Sequence, residues 1–188
     1  PVRWGTLPTT LVALGRHTAY RMVWRQATVA VESSPLPQEG LDAEHRLLVA
    51  VPHDPGLLVA AGPEGILRSE DGGQTWAFHL PAPFISLGWP SRPIDISALT
   101  VAEQPNAVLY AVADVGGTTP EQAVLQSTDG GITWEIRSEL PGAFRLGSLS
   151  VHPSNSNIVY GSGEGLYRSD DGGASWAPIT RTVCVRRL

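Results

Sequence analysis

Three observations predict an all-β fold of about four repeated, four-stranded antiparallel units. An acidic glycine octapeptide occurs three times, as SEDGGQTW (69–76), STDGGITW (127–134) and SDDGGASW (169–176). Between its copies, short runs of β-branched and aromatic residues alternate with Pro, Gly, Asn and Asp turns. No stretch of helical length spaces its apolar residues as a helix would. The chain has 188 residues, 42% of them hydrophobic and 16% charged, enough for a globular core.

The repeat defines the unit. With Asp71 placed over Asp171, residues 47–76 lie over 147–176 without a gap at an offset of 100. Val51 then meets Val151, Val59 meets Val159, and Arg68-Ser69 meets Arg168-Ser169. The middle copy fits in two pieces, 101–111 over 151–161 at an offset of 50 and 124–134 over 166–176 at 42. The difference, 50 − 42 = 8, is an insertion around DVGGTTPEQ (114–122). A worn fourth copy, 14–31, lies over 61–78 at an offset of 47, with MVWRQ (22–26) in place of the acidic turn. The expected units are 1–40 (degenerate), 41–82, 91–138 and 143–182, all in one segment, 1–188.

Each unit reads as four strands. Strand one is LLVAV, ALTVA or LSVHP; strand two is LLVAAG, VLYAVA or IVYGSG; strand three is ILRS, VLQS or LYRS. The acidic turn then leads into strand four, which begins at the tryptophan. Four antiparallel strands in about 42 residues match a propeller blade in size and content.

Repetition marks the octapeptide as structural, because a fold staple is needed once per unit and a catalytic site once per protein. The glycine pairs, with Gly73, Gly131 and Gly173 as their second members, can take the positive φ of a tight hairpin. Asp71, Asp129 and Asp171 can accept backbone N–H bonds. Ser69, Ser127 and Ser169, with Thr75, Thr133 and Ser175, can close the polar network. Trp76, Trp134 and Trp176 can bury a ring against the sheet.

The pattern S-x-D-G-G-x-[ST]-W resembles the Asp-box, or BNR repeat, of sialidase-like propellers. The same repeat occurs in sortilin-type receptors, xyloglucanase-type glycoside hydrolases and Ycf48-type assembly factors. The resemblance covers residues 47–180 and, through the worn copy, extends toward the N-terminus. It implies a propeller of more than four blades, with further blades in the same parent protein. It also implies Asp-boxes on the face away from any active site, and an extracytoplasmic setting. The start at Pro1 and the end at RTVCVRRL fit the expectation of a fragment.

In a propeller the 2–3 loops and 4–1 connectors share one face, where a glycan or protein ligand would bind. The connector PAPFISLGWPSRPID (81–95) offers Phe84, Trp89, Arg92 and Asp95 there, and SELPGAFRL (138–146) adds Phe144 and Arg145. Aromatic rings beside arginine and carboxylate suit sugars or peptides, or else plug gaps between blades. YAVADVGG (110–117) is similar to the stretch in which xyloglucanase-type enzymes hold a catalytic aspartate, which would make Asp114 an acid/base. Its partner across a scissile bond would be Asp95 or Glu121; the other reading of Asp114 is a turn residue.

The leading expectation is therefore a non-catalytic Asp-box scaffold presenting a binding face. Part of a xyloglucanase- or sialidase-like glycoside hydrolase comes second, and a Ycf48-like assembly factor third. The sialidase version lacks its arginine triad. The Ycf48 version needs a basic patch, against dispersed arginines and a net charge of −5. The same charge argues against a nucleic-acid partner. No apolar run approaches a membrane span. Cys184 is the only cysteine, and His53 and His152 fall in turns. No metal or cofactor motif is present.

Overall fold

A computed structural model describes residues 10–14, 18–25, 28–37, 47–62, 65–88, 91, 94–102, 107–116, 121–141 and 144–179. The first sheet has three strands, β1 (Thr10–Leu14), β2 (Thr18–Arg25) and β3 (Thr28–Pro35). The second has β4 (Leu47–Ala50), β5 (Leu58–Gly62), β6 (Gly65–Ser69) and β7 (Ala77–His79). A five-residue helix, α1 (Ala82–Ser86), leads to the third, with β8 (Ile94–Val101), β9 (Leu109–Val115), β10 (Glu121–Ser127) and β11 (Glu135–Leu140). The fourth has β12 (Leu146–His152), β13 (Asn155–Gly163), β14 (Leu166–Ser169) and β15 (Ala177–Pro178). In every sheet, strands consecutive in sequence are antiparallel neighbours.

The worn copy keeps its register. Val12 pairs with Arg21 as Val59 pairs with Arg68, and Leu14 with Ala19 as Ala61 with Ile66. These are the pairs the offset of 47 requires. Without the glycines, β2 runs straight through to Arg25, where the other copies break at their serine. The described residues give this unit three strands instead of the expected four.

The gapless offset of 100 is corrected in strands one and two. Ser169 pairs with Val159, but Ser69 pairs with Leu58, so Val159 takes the place of Leu58 and Tyr160 that of Val59. The cause is the 2–3 hairpin: Gly62 pairs with Gly65, whereas Ser162 pairs with Leu166, one residue more in the loop. Because strand side chains alternate, that residue exchanges the faces of every strand-two side chain.

The three acidic turns repeat one hydrogen-bond pattern. In the middle turn Ser127 Oγ donates to Asp129 Oδ1 at 2.8 Å and accepts the Gly131 N–H at 2.9 Å. The Thr133 hydroxyl donates to Asp129 Oδ2 at 2.5 Å, and the Ile132 and Thr133 N–H groups donate to Oδ1. Trp134 Nε1 closes the turn on Gly131 O at 3.1 Å. Both glycines hold positive φ, 72° and 89°. At Asp71 burial pushes the carboxyl up, but the bonds from Thr75, Ser69 and Gln74 together outweigh it and lower the pKa to about 2. At Asp171 the Ser175 hydroxyl is the largest cause of a fall to about 2.

Each turn also faces the preceding sheet. Ser34 Oγ donates to Gly73 O at 3.1 Å, Arg68 Nε to Gly130 O at 2.9 Å, and Ser138 Oγ to Gly173 O at 2.7 Å. The third sheet carries Gln126 where the others have arginine; its amide donates to Tyr110 Oη, which donates on to Ser156 O. The missing guanidinium comes instead from Arg137 on β11, bonded to Gly172 O and Asp171 O. Arg168, on the outer face of the last sheet, turns back to Asp170 and lies 5.9 Å from the Tyr160 ring.

Apolar faces fill the space between sheets. Val59, Ala61 and Ile66 of the second pack on Leu109, Ala111, Leu125 and Trp134 of the third. Val112 and Val124 of the third pack with Leu146 and Trp176 of the fourth. Trp134 is buried, whereas Trp76 and Trp176 are only partly covered.

Ser127→Ala should cost about 1–3 kcal/mol in chemical denaturation, since the buried Gly131 N–H loses its acceptor. Because the folded pKa of Asp71 and Asp171 lies below the unfolded value of 3.8, their stabilisation is present above that pH. It should be lost as the pH falls toward 2, with Asp71→Asn/Asp171→Asn flattening the acid limb of a circular-dichroism titration. Arg137→Met should release the fourth sheet first, read as faster hydrogen exchange in β12–β15 than in β4–β6.

Candidate functional site

At its described ends the insertion is strand. It extends β9 to Val115 and starts β10 at Glu121, so Asp114 is a ladder residue, not a turn residue. Asp114 pairs with Gln122 on one side and Asp95 on the other. Directly paired residues share a face, so Asp95, Asp114 and Gln122 form one row across the sheet. Glu121 pairs with Val115 and, by alternation, belongs to the opposite face. Of the two partners expected for Asp114, the fold thus brings Asp95 beside it and turns Glu121 away.

Asp114 and Gln122 of this row form one wall of a cleft of about 330 Å³ between the third and fourth sheets. Arg145, Leu146, Gly147, Gly163 and Glu164 form the other wall, and Ser97 lines it at a β-bulge between Ile96 and Ala98. The Ser97 hydroxyl is buried without a hydrogen-bond partner among the described residues. The cleft is built from β8, β9 and β10 of the third sheet, the start of β12 with the connector before it, and the hairpin after β13.

Two side chains converge on Asp114. Gln122 Nε2 donates to its Oδ1 at 2.9 Å, and the Arg145 guanidinium forms an ion pair with the same oxygen. The Asp114 side chain is 26% exposed and that of Arg145 40%, so the pair sits at the mouth of the cleft. It brings a cation to a row where two carboxylates meet directly across the ladder, an arrangement that like charges oppose. Behind it the 2–3 loop touches the connector: a Cβ on Gly163 would stand 1.9 Å from Arg145 O, so only glycine fits.

The aromatic candidates are corrected. Phe84 lies in α1, fully buried between the second and third sheets, and offers no face to a ligand. Phe144 packs edge-on against Tyr167, ring centroids 4.3 Å apart, and fills the gap between the third and fourth sheets. Trp89 and Arg92 lie outside the described residues. Arg145 is the one member of the expected binding set, among the described residues, that reaches the cleft. Sequence reading missed Gln122, Ser97 and Glu164. The repeat carried a signal for two of them, because Glu164 stands 42 residues after Gln122, the offset of strand three. Among the described residues no cluster of His, Cys, Asp and Glu could hold a metal, and no helix is long and apolar enough to cross a membrane.

No family model matches the chain. It is 32% identical over 106 residues to a xyloglucanase of Hypocrea jecorina (strain QM6a), a match covering 50% of this chain and 12% of that protein. A Paenibacillus sp. xyloglucanase is 33% identical over 104 residues, covering 49% of this chain and 10% of that one. The chain thus matches about a tenth of the length of these curated relatives. Among solved structures, YCF48 bound to D1 peptide is similar with a TM-score of 0.49 and 17% identity, over 76% of this chain and 45% of that one. A likeness at that level extends to neither partner nor function.

Arg145→Met should destabilise the chain by about 1 kcal/mol, the size expected of a part-exposed pair, by leaving Asp114 beside Asp95 without its cation. In a double-mutant cycle with Asp114→Asn most of that loss should disappear, and the coupling should shrink as salt rises.

Proposed function

We propose that the chain is a run of Asp-box propeller blades acting as a binding scaffold, and that the cleft between the third and fourth sheets receives a neutral, hydroxyl-rich glycan. The observation that carries this reading is the Asp114–Arg145 pair at the cleft mouth. The cation is already matched by a carboxylate, so a sialyl or uronyl carboxylate gains little there. A carboxylate held by two donors is oriented to accept a hydrogen bond from a sugar hydroxyl, and Ser97 and Glu164 supply further polar groups. The likeness to two xyloglucanases supports a glycan over a protein partner. The acidic turns, whose carboxylates are bonded within their own hairpins, serve the scaffold alone.

A second reading, favoured by the same relatives and by Glu164 on the wall opposite Asp114, makes the cleft part of a glycoside hydrolase with Asp114 as acid/base.

Calorimetric titration with a xyloglucan oligosaccharide and a sialylated one, followed by a reducing-end assay, decides between them. The scaffold reading expects the neutral oligosaccharide alone to bind, about tenfold more weakly in Asp114→Asn, with no new reducing ends. Binding of neither sugar sinks it. Reducing-end release that Asp114→Asn lowers by about 10²-fold or more establishes the enzyme instead.

A further inference from the structure

We propose that Gln122 is a positioning residue of the cleft: one buried amide sets the direction of the Asp114 carboxylate and the seat of the Arg145–Leu146 segment together, so that the two walls are held as one piece. The inference rests on the glycan-binding reading of the cleft and adds a residue that touches no ligand itself.

Gln122 is only 4% exposed, and its amide is used at both ends. Nε2 donates to Asp114 Oδ1 at 2.9 Å and to Leu146 O at 3.0 Å, while Oε1 accepts the Leu146 N–H at 2.7 Å. The amide thus clasps the backbone N–H and C=O of one residue of the fourth sheet, Leu146, as a neighbouring strand would, and spends its remaining N–H on Asp114. Arg145 directly precedes Leu146, so the clasp also sets where the guanidinium leaves the main chain. Asp114 is then held from its own sheet by Gln122 and from the next by Arg145.

The repeat supports a specific need for glutamine. Counted back from the acidic turn, the second and fourth units have Glu64 and Glu164 where the third has Gln122. An ionised glutamate at position 122 could donate neither to Asp114 nor to Leu146 O. It would also add a third carboxylate to a row that already holds Asp95 and Asp114. The residue that differs is the one paired with Asp114.

The test uses the full chain and two variants. Gln122→Met removes donors and acceptor; Gln122→Glu keeps the acceptor for the Leu146 N–H and loses the donors. Amide exchange at Leu146 and the Arg145 Nε–H resonance are followed by NMR. Affinity for a xyloglucan oligosaccharide is measured well below the unfolding midpoint of each protein. Leu146 exchange should quicken about tenfold or more in Gln122→Met and stay close to wild type in Gln122→Glu. The Arg145 resonance should move in both variants, and oligosaccharide affinity should fall about tenfold in Gln122→Glu. Lower midpoints with an unmoved Arg145 resonance and unchanged affinity would reduce Gln122 to a packing residue and overturn the proposal. If the wild-type chain binds no oligosaccharide, the glycan reading falls by itself, and the two NMR measurements still decide whether Gln122 positions the pair.

Discussion

The fold depends on one device, a carboxylate that folds back on its own hairpin and thereby presents the hairpin's carbonyls to the sheet before it. Asp71, Asp129 and Asp171 satisfy the N–H groups of a turn that two positive-φ glycines make tight. The serine at strand three's end satisfies the second glycine. With its donors satisfied within its own unit, the turn exposes acceptors, and Ser34, Arg68, Arg137 and Ser138 of preceding sheets bond to them. The same eight residues therefore close one hairpin and join two sheets. That double duty explains why the motif recurs, and why its acids are used up locally.

The stack tolerates exchange of parts when the geometry is kept. The third sheet has glutamine where its neighbours have arginine on strand three, and Arg137 of strand four reaches the next turn instead. The first sheet has no acidic turn, yet its strands keep the register of the others and Ser34 still reaches the following turn. What is preserved from sheet to sheet is a donor at a place, not a residue at a position.

The cleft arises from a departure from that regularity. An extra stretch in the third unit lengthens one hairpin by a few ladder pairs, whose alternate side chains Ile94 and Val115 join the core while Asp95, Asp114 and Gln122 lie on the other face, where the next connector passes. Two carboxylates directly opposed in a ladder are tolerable there because a guanidinium and an amide converge on one of them, Asp114. Charge compensation and the joining of the sheets are thus one arrangement, and chemistry at this cleft is tied to the spacing of the third and fourth sheets.

Local periodicity and turn chemistry were enough to read off an all-β chain of antiparallel hairpin-linked strands, because hairpins depend on residues near one another in the chain. They singled out Asp114 and Arg145, but offered Asp114 a turn where the structure has strand β9. The tertiary structure decided what is paired across distance. It slipped strands one and two of the last unit by one residue through a longer hairpin, drew Phe84 and Phe144 into the gaps between sheets, set Asp95 beside Asp114 while turning Glu121 away, and gave Gln122 its three bonds. A pattern of residue types records which side chains can bury or bond. Which face a strand turns, and which neighbour arrives there, depends on loop length and on the packing of sheets whose residues lie far apart in the sequence.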